Sequence, residues 1–352
     1  MMNSKEVVTR ALRRQNPDRM PANAEFTPEI RDKLMAHVGA EDYYDLCVKL
    51  GSDMLILGGG IGNSYYLNYP SKENYVCPWG CTWKWYENET GAYTEIVGRP
   101  LDDDEDGEKL AAYQIPDPED PATFEALDNL IKKYGNDYFI CFSSPCSIFE
   151  AAWYTHGMED TLMDMMANEE YANDLFDKMM EFPLRAGLKA LDYPIDMIWL
   201  GDDMGLQKNM LMSADLWRKY FKPRMAKIIS AYKAKNPNIL VAYHSCGNIE
   251  PIIEDFIEIG LDVLNPIQPK AMDPAKLKEK YGDRLSFWGG MCIQETLPYG
   301  TPEDVKAEVL LRKNTIGKNG GYLCSPAHNV QADTSVENML AFFEAVKEYG
   351  KY

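Results

Sequence analysis

The chain has 352 residues, of which 45 % are hydrophobic and 12 % aromatic, with 7 Trp and 22 Tyr. That is too apolar for a disordered chain and long enough for two ordinary domains or one large barrel with insertions. The 36 Lys+Arg against 55 Asp+Glu leave a formal charge of -19, which repels phosphate backbones and anionic lipid and excludes a general nucleic-acid or membrane-surface role. No apolar run approaches the ~20 residues of a spanning helix, and the opening MMNSKEVVTRALRR is amphipathic and charged throughout. A cytoplasmic protein is expected, so the eight cysteines are read as free thiols open to metal or thiolate chemistry.

In chain order, eight short β-rich apolar stretches are each followed by a helix-length segment. They are residues 20–26, 53–57, 138–142, 196–200, 239–244, 262–266, 284–288 and 321–324. Most run into Gly, Pro or small polar residues, as in Leu57-Gly-Gly-Gly60 and Trp288-Gly-Gly290. Eight such units predict an α/β fold, a closed (β/α)8 TIM barrel forming one domain over residues 1–352. Between the second and third strands, residues 63–116 break the rhythm. Cys81-Thr-Trp-Lys-Trp-Tyr86, then Asn88-Glu-Thr-Gly91, then residues 92–97 predict a β-hairpin insertion over the barrel mouth. Asp102-Asp-Asp-Glu-Asp106 reads as a solvated loop.

Further along, a helix opens at Ser213 and is split by Pro223. Thr301-Pro-Glu-Asp304 caps another, and Thr334-Ser-Val-Glu337 has capping-box spacing for the last. His156, followed by Gly157, reads as a structural residue at a helix end.

Chemistry concentrates at strand ends. His244 and Cys246 close the fifth strand, and period-two geometry turns positions i and i+2 to one side, so an imidazole and a thiolate converge. Three candidates for a third ligand follow strands seven and eight: Cys292, Cys324 and His328. Cys324 is preferred because it lies on a strand and completes a Cys2His set for Zn²⁺. His328, beyond Pro326, is assigned to the substrate or to protonating a departing oxygen, and Asp202 and Asp203 after the fourth strand are catalytic candidates. Cys77 and Cys81 read as structural. Trp79, Trp83, Trp85 and Tyr86 suit an apolar aromatic ligand at the mouth.

Gly201-Asp-Asp-Met-Gly205, Tyr243-His-Ser-Cys-Gly-Asn248, Asp262-Val-Leu-Asn-Pro-Ile-Gln268, Phe287-Trp-Gly-Gly290 and Pro326-Ala-His-Asn-Val-Gln-Ala-Asp333 together resemble the uroporphyrinogen decarboxylase superfamily. The resemblance implies a (β/α)8 barrel and two options: metal-free decarboxylases, or zinc methyltransferases that exchange methyl groups with a corrinoid protein. Decarboxylases carry an arginine-rich motif after the first strand, whereas this chain has Arg19-Met-Pro-Ala-Asn-Ala-Glu-Phe26, with Glu25 in place of an arginine cluster. In the methyltransferase branch, H-x-C and a distant cysteine hold zinc. His244 and Cys246 match the first two, while in the branch acting on coenzyme M the last cysteine falls where this chain has His328, four residues beyond Cys324. The resemblance thus implies a zinc-dependent methyltransferase that demethylates a small O-methyl compound and passes the methyl group to a corrinoid (cobalamin) on a partner protein. A lyase acting on a smaller acid and a methylcobalamin:thiol methyltransferase are the alternatives.

Overall fold

Seven of the eight expected strands form one parallel sheet. The computed structural model describes residues 2–69, 71–88, 91–104 and 106–352. The strands in chain order are β1 (Met54–Gly58), β2 (Tyr75–Val76), β3 (Thr82–Asn88), β4 (Gly91–Gly98), β5 (Phe139–Pro145), β6 (Met197–Gly201), β7 (Leu240–His244), β8 (Val263–Ile267), β9 (Ser286–Met291) and β10 (Tyr322–Pro326). The parallel sheet runs β1-β5-β6-β7-β8-β9-β10, with each neighbour the next strand of the sheet in sequence. Helices intervene between successive strands, as a parallel crossover requires.

Residues 20–26 form no continuous strand. They lie between the two edges of the sheet: Ala22 bridges Cys324 in parallel, Asn23 N–H donates to Cys324 O at 3.0 Å, and Asp53 N–H donates to Ala22 O at 2.7 Å. Pro21 has no N–H to give, which interrupts a regular ladder there. The Asp53 carboxylate secures the segment by accepting from Ala22 N–H at 2.9 Å and from both Arg19 guanidinium nitrogens at 2.6 and 2.7 Å.

The strands alternate between two apolar layers. Met54, Ile56, Phe139, Cys141, Met197, Leu240, Ala242, Val263, Trp288 and Leu323 form one cluster with Val8 and Leu12 of the helix Ser4–Leu12. Their odd or even neighbours, including Leu55, Ile140, Ile198, Val241, Leu264, Phe287, Tyr322 and Cys324, pack with the surrounding helices. The first layer is the interior of the curled sheet, and the first helix closes one end of it.

β2, β3 and β4 form a separate antiparallel sheet in which Trp85 faces Thr94 and Tyr86 faces Tyr93. The turn expected at Asn88-Glu-Thr-Gly91 contains residues 89 and 90, which lie outside the described residues. The aromatic side chains here are spent on packing. Trp83, 2 % exposed, stacks on Tyr75 at 6.3 Å and meets Tyr65 and Tyr154 edge-on at 5.9 and 5.7 Å, and Trp79 packs on Phe182 at 5.0 Å.

Two local expectations change. Asp104 is buried and not solvated: it accepts from Lys109 N–H, Leu110 N–H and Tyr171 O–H at 2.8–2.9 Å, which explains an acidic residue before the short helix Glu108–Ala112. The last helix, Val336–Tyr349, is capped by Ser335, which accepts from Asn338 N–H, so the cap sits one residue beyond Thr334. The Ser213 helix divides as expected, into Ala214–Tyr220 and Lys222–Lys235, and Thr301 and Asp304 form a reciprocal capping box. Among the described residues no helix is long and apolar enough to cross a membrane.

Candidate functional site

At the end of the sheet interior opposite the first helix, the inward-facing positions turn polar. Continuing the alternation two residues past Ala242, Val263 and Leu323 gives His244, Asn265 and Ser325. All three line a cavity of about 390 Å³, together with Trp199, Trp288, Glu25, Glu150, Asp203, Tyr154 and His328.

Glycines let the loops converge there. A Cβ on Gly201, at the end of β6, would lie 2.4 Å from His244 Cβ, so only glycine lets β6 pass beside the histidine. Gly247 adopts φ +78°, and a Cβ there would come within 2.3 Å of Gly205, so the loops after β6 and β7 cross in direct backbone contact. This is the physical content of the paired Gly201-x-x-x-Gly205 and Cys246-Gly247 sequences.

His244, Cys246 and His328 come together, with one potential donor atom from each lying within 4.8 Å of the others. Cys246 Sγ is 3.5 Å from His244 Nε2, and the His244 and His328 rings meet edge-on with centroids 5.9 Å apart. His244 Nδ1 lies 2.7 Å from Asn265 Oδ1, so Nδ1–H donates to the amide oxygen and Nε2 faces the sulfur. His328 Nδ1 is buried without a partner. A tetrahedral zinc with bonds of about 2.0 Å to nitrogen and 2.3 Å to sulfur spaces those atoms about 3.5 Å apart. The donor types, the sulfur–nitrogen spacing and the unpartnered His328 nitrogen therefore fit a zinc ion.

Asp203 braces the group. It accepts from Cys246 N–H at 2.8 Å, and its Oδ1 is 3.4 Å from His244 Nε2. Burial alone would raise its pKa, but the hydrogen bond and charge of His244 dominate and hold it at about 2. Burial pushes the Cys246 thiol up, with His244 opposing. Burial and the neighbouring His244 charge lower His328, which keeps that imidazole neutral. Glu150 contacts the same cluster: its Oε2 accepts from Asp203 N–H at 3.1 Å, and burial followed by the Asp203 charge raises its pKa well above the carboxylate range.

Cys324 does not join the group. It is fully buried and occupies the layer between sheet and helices, among them Val346 of the last helix, because it has opposite parity to Leu323 and Ser325. The residue that reaches the cluster from this strand end is His328. Asp202 also has a structural placement: 1 % exposed, it accepts from Ile148 N–H and Glu150 N–H at 2.9 Å and from Tyr243 O–H at 3.3 Å, pinning the loop after β5. Cys292 is buried and outside the group. His156 bonds Asp164 at 2.8 Å and Leu101 O at 3.2 Å, a structural arrangement.

The aromatic wall comes from β6 and β9, through Trp199 and Trp288 at 4.7 Å, and not from Trp79, Trp83, Trp85 and Tyr86. Alternation from Met197 to Trp199 and from Ser286 to Trp288 is the sequence signal for it. Glu25 and Asn265 were legible in the same way, as polar residues at strand ends.

Known proteins agree with this architecture. A solved methyltransferase structure from Methanosarcina mazei superimposes with a TM-score of 0.75 over 99 % of both chains at 21 % identity, which establishes a common fold. Uroporphyrinogen decarboxylase of Chlorobium phaeovibrioides is 31 % identical over 39 % of this chain and 38 % of its own. The first three curated relatives are matched over only 38–51 % of their length. Methylcobamide:CoM methyltransferase MtbA of Methanosarcina acetivorans aligns over 98 % of both chains at 24 % identity, and methylated-thiol–coenzyme M methyltransferase of Methanosarcina mazei over 65 % of this chain and 58 % of its own at 25 %. Residues 79–349 match the family model of uroporphyrinogen decarboxylase (URO-D), and the chain belongs to that family.

Proposed function

We propose that the chain is a cytoplasmic zinc-dependent methyltransferase that moves a methyl group from a small O-methyl compound to the cobalt of a corrinoid held by a partner protein. The observation that carries this reading is the convergence of His244, Cys246 and His328 at one end of the sheet interior, beside a cavity of about 390 Å³. The full-length likeness to a methylcobamide methyltransferase supports the corrinoid partner. The same reading takes residues 20–26 as the eighth stave of a closed barrel, supported by their bonds to β10 and to Asp53 at the start of β1. It takes residues 63–116 as an insertion at the mouth, where the partner docks.

Zinc on this donor set would act as a Lewis acid toward the methyl-bearing oxygen. The chain's own residues do the rest. Asn265 fixes the His244 ring, and Asp203 fixes Cys246 through its N–H. Trp199, Trp288 and Tyr154 exclude water from one side of the cavity. The C–O bond would break with its electron pair left on oxygen, the methyl group going to the cobalt(I) acceptor held by the partner protein. Glu150, whose hold on its proton is strengthened by burial and by the Asp203 charge, lines the cavity where it can give that oxygen a proton.

The name of the full-length relative favours a second direction, in which a thiol takes the methyl group from the corrinoid. Against a decarboxylase acting on a polycarboxylate, no Lys or Arg is among the described cavity-lining residues to pair with such a substrate.

The test supplies reduced corrinoid protein with methoxylated aromatics and methyl thioethers and follows methylcobalamin spectrally, with metal analysis of the same protein. About one zinc per chain and methyl transfer are expected. Transfer at full rate from protein depleted of metal, or release of CO2 from a carboxylic acid with no methyl transfer, overturns the proposal.

A further inference from the structure

The cavity is one-sided in charge. Glu25, Glu150 and Asp203 line it, and no Lys or Arg is among its described lining residues. If a divalent ion is held, the Cys246 thiolate and the Asp203 carboxylate offset its two charges, and Glu150 carries its proton, so Glu25 sets the sign. Glu25 stands apart from the metal-ligating group. It belongs to residues 20–26, and its Oε2 accepts from Tyr43 O–H at 3.0 Å. In the structure described, Glu25 has no cationic partner among its hydrogen bonds or ion pairs.

Asn23 lies two residues away, fully buried and also lining the cavity. Its Nδ2 is committed to Ser52 Oγ at 3.2 Å and Met54 O at 3.3 Å, which fixes the amide orientation and leaves Oδ1 buried without a donor. An unpaired buried acceptor beside a carboxylate with no cation is a site short of hydrogen-bond donors and positive charge. The indole and phenol rings of Trp199, Trp288, Tyr154 and Tyr65 add faces that favour a cation over an anion.

We infer that Glu25 is the specificity-determining residue of the cavity and selects a methyl donor bearing an ammonium group, while carboxylated or sulfonated donors are rejected. This rests on the methyl-transfer reading and adds the chemical class of its substrate. The ammonium N–H groups pair with Glu25 and Asn23 Oδ1 at one end of the cavity, leaving the methyl ether at the His244 end.

The test uses three compounds of nearly one shape: 4-hydroxy-3-methoxybenzylamine, the corresponding benzyl alcohol and the corresponding benzoate. Binding is read from quenching of tryptophan fluorescence, since Trp199 and Trp288 line the cavity. Methyl transfer to cob(I)alamin is read separately. The amine is expected to bind about 10²-fold more tightly than the benzoate, as one favourable and one unfavourable charge contact at intermediate dielectric imply. Glu25→Gln keeps an acceptor for Tyr43, so it should compress that ratio to about 10-fold or less by weakening the amine. Glu25→Lys should reverse the order.

A benzoate that binds as well as the amine, no binding of any of the three, or a ratio unchanged in Glu25→Gln overturns the inference. Selective binding of the amine with no methyl transfer from any donor leaves the charge selectivity intact and overturns the methyl-transfer reading instead.

Discussion

The two ends of the sheet interior are built on the same strands and have opposite characters. At one end Leu240, Val263 and Leu323 pack with Val8 and Leu12 in a dry cluster. One or two steps of alternation later the same strands present His244, Asn265 and Ser325 to a cavity. The change takes only a few residues per strand, so stability and chemistry are separated by position along a strand. The same strands also separate them by face: Cys324 turns to the helices while its neighbour Ser325 turns to the cavity. Substitutions on either side of these divisions should therefore act on different observables.

The largest contrast is between His328 and Cys324. His328→Ala and Cys246→Ser should each bring bound zinc far below one per chain while the far-UV spectrum and unfolding midpoint stay close to the parent, because both residues lie at loop and strand ends beyond the dry cluster. Cys324→Ala should retain zinc and cost about 1 kcal/mol of stability through the small void it leaves against the helices. Metal analysis beside chemical denaturation reads both. Zinc lost with Cys324 and kept with His328 would restore the cysteine as the ligand.

That reversal shows what the sequence carries. Strand existence was legible, since runs such as Ile239-Leu-Val-Ala-Tyr-His244 allow little else, and seven of the eight strands lie where such runs occur. Parity across strands was not. His244 and Cys246 lie at and just beyond the end of one strand, so their relation is local. Cys324 can be placed against them only by knowing how β10 registers with β9, where Leu323 pairs with Trp288. The segment 20–26 was visible as an apolar stretch but not as an irregular one, because Pro21 and the Asp53 anchor act through tertiary bonds. The tryptophans of 79–85 were visible as aromatics, yet whether Trp83 faces a ligand or Tyr65, Tyr75 and Tyr154 depends on partners 8–71 residues away. Ser335 took the cap from Thr334 because both residues can cap and only backbone geometry separates them.

Asp202 and Asp203, adjacent in sequence, extend the contrast between structural and functional positions. The Asp203 carboxylate touches the ligand-type residues, whereas the Asp202 carboxylate accepts from buried donors of the fold. Asp202→Ala leaves Ile148 N–H, Glu150 N–H and Tyr243 O–H without their acceptor, and a loss on the order of 3 kcal/mol of unfolding free energy is expected. Asp203→Asn keeps the acceptor for Cys246 N–H and should leave stability nearly unchanged while lowering zinc affinity about 10-fold or more, as removal of an outer partner of a metal ligand does. Equal stability losses in the two variants would erase the distinction between them.

The last contrast is a matter of pH. Burial is the main cause that lifts Glu25 from 4.5 to about 7, with the hydrogen bond from Tyr43 opposing it. A carboxyl whose folded pKa exceeds its unfolded one binds more protons folded than unfolded between those two values, so its contribution to stability falls as pH rises from 4.5 to about 7 and is constant above. Glu25→Gln has no such proton to lose. The variant should match the parent at pH 4 and exceed it above pH 7 by on the order of 1–2 kcal/mol, a value discounted from the full shift because Glu25 retains some contact with the cavity. Urea unfolding of both proteins at pH 4, 5.5 and 7.5 reads the difference directly. Parallel curves across that range would mean that Glu25 is as well solvated as a surface carboxylate, and the cavity would then hold no unmet charge for a cationic donor to answer.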